Sequence, residues 1–339
     1  MSEIVGIETS VLYNEFDEGC ILNFSLHLCK DLFVYVALSF SLASCAINHD
    51  AKLRISHSEW PGYEYLNLAV SKGFVSNASI VPLKDQSEVV RAYLREEIDV
   101  LQLTTVDILD ICSRQPDRCP VVVLVLNESL GGDQVMTSSL NHLRDLSDKK
   151  IGVATSSFGP FVLQKALQSV DLGIDDVSIM PLLVSEMPRE LSIGNVDAVV
   201  IYPPNSEKAR SFGAKTIFDS SKIPGQILDV LAVSPSVYAS RKKDVSEIIS
   251  GWFKAHNYQI NNASEALAAM ALSQGLAPDE FTDVLKGLAF HVTGEEQSEL
   301  LSVGGPVVEN LEAVQKVMVQ LNLVTPQVSS PRVSSDLLP

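Results

Sequence analysis

Five cysteines, six histidines and two tryptophans among 339 residues leave little material for a metal centre or a disulfide-built fold. No pair of cysteines or histidines has the spacing of a zinc site, so neither a metal nor a cofactor is expected. Positive charge is scarce too: 25 Lys and Arg stand against 42 Asp and Glu, a formal charge of −17, which disfavours nucleic acid as a partner. The chain also lacks an apolar run of the ~20 residues that a membrane-spanning helix needs. What it has is an ordinary globular balance, 46% hydrophobic and 20% charged, over a length comfortable for two domains.

The single stretch apolar enough to meet a membrane, residues 32–45, has the length of a signal-peptide core. It ends in Leu42-Ala43-Ser44-Cys45, which resembles the lipobox of bacterial lipoproteins, where small residues admit the signal peptidase and the cysteine thiol accepts a diacylglycerol. On this reading residues 1–45 form a leader, Cys45 becomes a lipid-attached N-terminus, and the protein is exported to the periplasm or the cell surface. A buried strand or short helix that ends in cysteine is the alternative. Residues 1–31 are mostly acidic or neutral, with Lys30 the one base, and no methionine lies between Met1 and Cys45. Translation is therefore expected to begin at a non-Met codon near Leu26 or Leu28. Without the leader, 36 acids face 24 bases, and that acidity reads as solubility. Cys112 and Cys119 then remain, around a polar loop: export admits a disulfide between them, and two free buried thiols are the other reading.

From residue 52 onward β-rich runs alternate with helical patterns, the signature of parallel α/β layers. Strands are expected at 53–56, 79–83, 98–103 and 120–126, with helices at 63–72, 87–96 and 106–112 between them. A second pass repeats the order, with strands at 150–154, 177–183, 196–201 and 215–218 and helices at 160–170, 187–193 and 205–212. Even the third strands open alike, Ile98-Asp99-Val100 and Val196-Asp197-Ala198. Two copies of one unit predict an α/β protein of two similar lobes, with mainly parallel sheets flanked by helices. One more apolar strand, 226–233, precedes a helical region with helices expected at 246–258, 263–272, 278–288 and 307–321. These helices are expected on the first lobe, so that lobe 1 comprises residues 51–135 and 234–322 and lobe 2 residues 136–233, with crossings near 133–140 and 226–234. The Ser, Pro and Val-rich tail, 325–339, reads as disordered.

Ligands of open α/β sheets bind beyond the carboxyl ends of the strands, so the corresponding loops of the two halves should face each other across a cleft. The loop after the first strand packs Ser58, Glu59, Trp60 and Tyr63 into a few residues, suited to a polar pocket or to an N-cap and lid on the core. In the second half Ser156, Ser157 and Phe158 join a strand to a helix whose positive end can hold an anionic group, although any such turn needs a Ser or Thr cap. Thr104 and Thr105 follow the third strand of lobe 1 and Tyr202 the equivalent strand of lobe 2; Asp133 ends the loop after the fourth. Asp229 interrupts an apolar strand and needs either a structural partner or a ligand. The histidines have no neighbouring nucleophile or acid at triad-like spacing, so no catalytic residue is assigned and a non-enzyme is expected.

At these residues the chain resembles the nitrate, sulfonate, taurine and thiamine-pyrimidine group of periplasmic solute-binding proteins of ABC importers. The matching stretches run from Leu53-Arg54-Ile55 and Trp60-Pro61-Gly62-Tyr63-Glu64 through Ile98-Asp99-Val100, Leu103-Thr104 and Gly131-Gly132-Asp133. They continue through Lys150-Ile151-Gly152-Val153, Val196-Asp197-Ala198-Val199, Tyr202-Pro203-Pro204 and Phe218-Asp219-Ser220-Ser221 to Ile223-Pro224-Gly225. The resemblance implies a Venus-flytrap protein of the type II periplasmic-binding-protein fold, a monomer that closes on a solute and delivers it to a membrane permease. A membrane sensor in place of the permease is the alternative partner. The group also includes a thiamine-pyrimidine synthase that carries a Cys-Cys-Cys-Phe-Cys motif, which is absent here. Glu59, Asp133 and Asp229 in the expected cleft favour a heterocycle or amine-bearing solute over a simple anion, with Trp60, Tyr63, Phe158 and Tyr202 as stacking surfaces.

Overall fold

A computed structural model of the chain describes residues 51–339; the expected leader, the apolar run at 32–45 and Cys45 lie outside the described residues. The first half runs β1 (Leu53–His57), α1 (Glu64–Ser71), β2 (Ala78–Pro82), α2 (Gln86–Leu94), β3 (Val100–Thr104), α3 (Thr105–Arg114) and β4 (Val121–Ser129). The second runs β5 (Gln134–Thr137), β6 (Lys150–Ala154), α4 (Phe158–Gln168), β7 (Ser178–Leu182), α5 (Met187–Ser192), β8 (Ala198–Ile201), α6 (Asn205–Ser211) and β9 (Lys215–Asp219). Strand β10 (Leu228–Val233) then leads into α7 (Pro235–Ser240), α8 (Lys242–Asn261), α9 (Ala263–Gln274), α10 (Pro278–Leu285), β11 (Leu288–Ala289), α11 (Gly294–Leu300) and α12 (Pro306–Gln320).

Two sheets result, one ordered β11-β4-β10-β3-β1-β2 and the other β7-β6-β8-β5-β9. β1 is parallel to β2 and β3, and β6 to β7 and β8. β10 lies antiparallel between β3 and β4, and β5 antiparallel between β8 and β9. Each reversed strand is therefore the one on which the chain arrives from the other lobe. The expected third-strand repeat has a physical basis: Asp99 Oδ2 accepts the backbone N–H of Arg54 at 2.9 Å, and Asp197 Oδ2 accepts that of Lys150 at the same distance. In both lobes the carboxylate at the start of the third strand holds the start of the first.

The lobe boundaries differ from the sequence expectation. The strand at 228–233 belongs to the first sheet, not the second lobe, and the crossings are residues 130–133 and 220–227. β10 is buried along its whole length because it sits between two other strands, which explains why it is apolar apart from Asp229. β5 was not expected as a strand; its four residues are too few to show a pattern. The tail, expected to be disordered, lies against lobe 1: Val333 bridges Val122, the Arg332 carbonyl accepts the Val122 N–H at 2.8 Å, and Leu337 is buried. It satisfies the backbone N–H and carbonyl of Val122, in the part of β4 that β11 does not pair.

Cys112, at the end of α3, is bonded to Cys119, just before β4. The pair closes a loop with a sequence separation of 7, short enough that the entropy removed from the unfolded chain is worth about 2–3 kcal/mol. Reduction with dithiothreitol should lower the unfolding free energy from denaturant titration by that amount, and a Cys112→Ala, Cys119→Ala variant should no longer respond to it.

In lobe 1, α8 crosses α1 at Gly251, where a Cβ would stand 2.2 Å from Val75 Cγ2. One turn on, the His256 ring lies flat on Tyr65 with centroids 3.5 Å apart and touches Trp252 and Phe290. Burial among these rings pushes the imidazole down to about 3, so it is neutral in the fold.

Candidate ligand-binding cleft

The loops beyond the carboxyl ends of the parallel strands bring the two lobes face to face, and the lobes are closed. Trp60, after β1, sets its ring edge-on to Tyr202, after β8, with centroids 5.8 Å apart and planes at 84°. Phe158, the first residue of α4, is tilted against Tyr202 with centroids 6.5 Å apart. Beside the rings the N-termini of α2 and α4 oppose each other. Ser156 donates from Oγ to Gln86 Oε1 at 3.3 Å, and Thr155 Oγ1 lies 3.5 Å from Ser87 Oγ. A cavity of about 10 Å³ is left between Asp85, Gln86, Ser87, Thr155, Ser156 and Tyr202, close to what one water needs. A solute can reach this place only if the lobes part.

The floor of the cleft is built on strand register. Asp229 on β10 sits directly opposite Thr104 on β3 and Asn127 on β4, so the three side chains stand abreast on one face of the sheet. Tyr63 donates its hydroxyl to Asp229 Oδ1 at 2.5 Å, and the Trp60 indole N–H donates to Asn127 Oδ1 at 3.3 Å. Gly62 makes this approach feasible, since a Cβ there would stand 2.3 Å from Asn127 Nδ2. Gly132 does the same at the crossing: its Cβ would meet the Trp60 ring at 2.7 Å. Thr104 donates to Asp107 Oδ2 at 2.7 Å and accepts the Asp107 N–H, which starts α3 as an N-cap. Asp133 ends the first crossing, where Ser129 Oγ accepts its N–H at 3.2 Å and bonds Ser220 Oγ of the second crossing at 2.8 Å.

Burial dominates the electrostatics of this floor. It pushes the Asp107 carboxyl up to about 7, against the Thr104 hydroxyl bond that holds it down and with the Asp110 charge adding to the rise. Burial likewise pushes Asp133 up to about 7, opposed by Ser129. Asp229 is raised further, by burial first and then by the charges of Asp133 and Asp107, while Tyr63 and Trp60 act the other way. The Tyr63 and Tyr202 hydroxyls are held well above their ordinary range by burial and by the same carboxylates. None of the residues lining the cavity is basic.

Most of the residues singled out in the sequence meet here: Trp60, Tyr63, Thr104, Asp133, Ser156, Phe158, Tyr202 and Asp229 surround the closed cleft. Ser157 occupies the cap position of α4 without a side-chain cap bond, and Ser58 is buried with its Oγ unpartnered. Thr105 is turned away, its hydroxyl donating to Asn310 Oδ1 on α12 at 2.7 Å. Glu59 is exposed and joins His57, Glu64, Asn67, Lys84 and Gln274 around a depression of about 470 Å³ on lobe 1. There the His57 ring nitrogens face the Ser58 carbonyl and Asn67 Oδ1 at 2.8 and 3.0 Å. Gln86 and Asp107 were not anticipated. Asp107 had a visible signal, the Thr-x-x-Asp spacing of a helix start, but that pattern serves a cap as readily as a site.

The pattern of the NMT1-like family matches residues 125–273. A search of curated proteins by sequence finds no match. Among solved structures, the alkanesulfonate-binding protein SsuA from Xanthomonas axonopodis pv. citri bound to MOPS is 15% identical, with a TM-score of 0.68 over 83% of this chain and 96% of that one. The periplasmic aliphatic sulphonate binding protein SsuA from Escherichia coli is 16% identical, with a TM-score of 0.68 over 85% and 95%. The desulfurization enzyme DSZB is 16% identical, with a TM-score of 0.60 over 82% and 94%. The chain has the two-lobed fold of the periplasmic sulfonate-binding proteins and carries, over residues 125–273, the pattern of the NMT1-like family.

Proposed function

We propose that this protein is an extracytoplasmic solute-binding protein that captures a small organic molecule between its lobes and hands it to the permease of an ABC-type importer. The observation that carries the reading is the closure of the cleft on side chains from both lobes: Trp60 of the first meets Tyr202 of the second over a floor of buried polar groups. Ligand-driven closure of two lobes about crossing segments is how such proteins couple binding to a partner. Residues Ser58, Trp60, Tyr63, Asp133, Ser156, Tyr202 and Asp229 form the proposed contact set. Attachment of lipid to Cys45 would hold the protein at the membrane it serves, and mass spectrometry of the native N-terminus tests that part.

The fold alone does not separate binding from catalysis, since a desulfurization enzyme shares it. A binding role is supported by the cleft's chemistry, which is aromatic rings, hydroxyls and carboxyls, while both described cysteines are bonded to each other. A thermal-shift screen of organic solutes, followed by small-angle scattering, tests the reading. A true ligand at a hundredfold excess over Kd adds about 2.7 kcal/mol, a rise of roughly 5–10 °C, and shifts the lobes from open to closed. Solutes that raise the melting temperature without changing the scattering profile would argue for a surface site and against capture between lobes.

A further inference from the structure

We infer that the captured solute is a cation, a protonated amine carried on or beside a flat ring, held by the carboxyl groups of Asp107, Asp133 and Asp229 and by the rings of Trp60, Tyr63 and Tyr202. The inference rests on the solute-capture reading and names the class of molecule that the same cleft takes.

Three carboxyl groups from three separate elements share this floor: Asp107 in the first turn of α3, Asp133 at the crossing and Asp229 on β10. All are at most 2% exposed, and none takes part in an ion pair among the described residues. The nearby base, Arg114, is paired with Asp110 instead. Buried carboxyls are ordinarily matched by a cation or by several hydrogen bonds, because an unpaired charge in a low-dielectric site is strongly unfavourable. Here Asp107 has one such bond, from Thr104, and its Oδ1 has none.

A second observation is independent of the acids. Among the fully buried polar atoms without a partner, three lie at the strand ends of the two lobes: Ser58 Oγ after β1, Asn127 Nδ2 beside Asp229, and Ser206 Oγ in the first turn of α6, whose N–H bonds the Tyr202 carbonyl at 3.0 Å. Native proteins leave few such atoms, and a group of them at the meeting of two lobes calls for a partner that the chain itself does not provide. Two hydroxyls and a carboxylate oxygen are acceptors for the N–H groups of an ammonium, and Asn127 Nδ2 is a donor for a ring nitrogen. The rings complete the match, since the faces of Trp and Tyr attract a cation within about 6 Å. An anion would meet three carboxylates and no base. A metal ion is not the better occupant, because no group of His, Cys, Asp or Glu among the described residues has the geometry to hold one.

The test compares benzylamine and tyramine with benzyl alcohol and benzenesulfonate by calorimetry and thermal shift on the full protein. The amines should bind at least tenfold more tightly than the alcohol, while benzenesulfonate should not bind. Amine binding should strengthen at least tenfold from pH 5.5 to pH 8 and release protons, as the three carboxyls ionise against Asp110, Asp85 and Glu59 around them. Asp229→Asn and Asp133→Asn should each weaken the amine at least tenfold; thermal melts without ligand establish that both variants fold. Benzenesulfonate that binds and closes the lobes overturns the cation but keeps solute capture. Amines that do not bind, or that bind independently of pH and of both substitutions, also overturn it. Failure of every probe to close the lobes counts against both readings.

Discussion

Between pH 5 and pH 8 the ligand-free protein should lose several kcal/mol of closed-state stability, with a falling melting temperature and a growing population of open molecules. Asp107 and Asp133 titrate near 7 in the closed fold and near 3.8 when free in water. An acid raised in this way binds more protons folded than unfolded, so its stabilising protonation is complete below about 3.8 and is lost as the pH climbs through 7. For each of the two the loss between pH 5 and 8 is on the order of 2–3 kcal/mol. Asp229, raised further by burial and by the other two charges, extends the window upward. Opening rehydrates all three carboxyls without unfolding either lobe, so part of the effect should appear as lobe separation. His256 acts in the opposite direction: its imidazole is depressed to about 3, so its contribution is present above about 6.5 and is lost as the pH falls below that. Three acids against one base make stability fall with pH from about 4 upward, so the maximum lies at the acidic end of the range. Calorimetry across pH 4 to 8.5 should find it there, and Asp107→Asn with Asp133→Asn should flatten the alkaline slope. A wild-type melting temperature that rises steadily toward pH 8 would exclude the assignment.

The sheets were legible in the sequence because burial on both faces writes an unbroken apolar run, as in Val121 to Leu126, and because the two third strands announce themselves with the same Asp. Strand direction was not legible. The run 226–233 carries no mark of which sheet it enters, and only the pairing of Val230 with Leu103 and Val125 settles it. The tail misled for a related reason: its Ser and Pro content resembles a linker, yet an unpaired stretch of strand accepts backbone groups whatever their side chains. Within the site, Trp60, Tyr63, Tyr202 and Asp229 were found from loop position and from the oddity of an acid in an apolar strand. Asp107 was hidden by a helix cap, and Thr105 was included although its hydroxyl bonds Asn310 on α12, a partner 205 residues away that no local pattern announces. The Asp107 side chain is fixed by Thr104, three residues away, but its meeting with Asp229 depends on sheet register, which no local pattern encodes.

The other large effect centres on Trp60, which links the floor, the crossing and the second lobe. Its indole N–H bonds Asn127 of lobe 1, its six-membered ring fills the space that Gly132 leaves at the crossing, and its ring meets Tyr202 of lobe 2 at nearly a right angle. Trp60→Ala removes a ring that is only 5% exposed and should destabilise the protein by about 3–5 kcal/mol. Trp60→Phe keeps part of the ring and loses the donor, so it should be milder by about half. The two components separate in a double-mutant cycle with Tyr202→Ala: a coupling of about 0.5–1.5 kcal/mol in the closed state belongs to the ring pair itself. Because that pair exists only when the lobes meet, the coupling should vanish under conditions that hold the lobes open, whereas the packing loss at Asn127 should persist. A coupling of equal size in open and closed protein would mean that Trp60 serves the core of lobe 1 alone, and the cleft would then lack its principal contact between lobes.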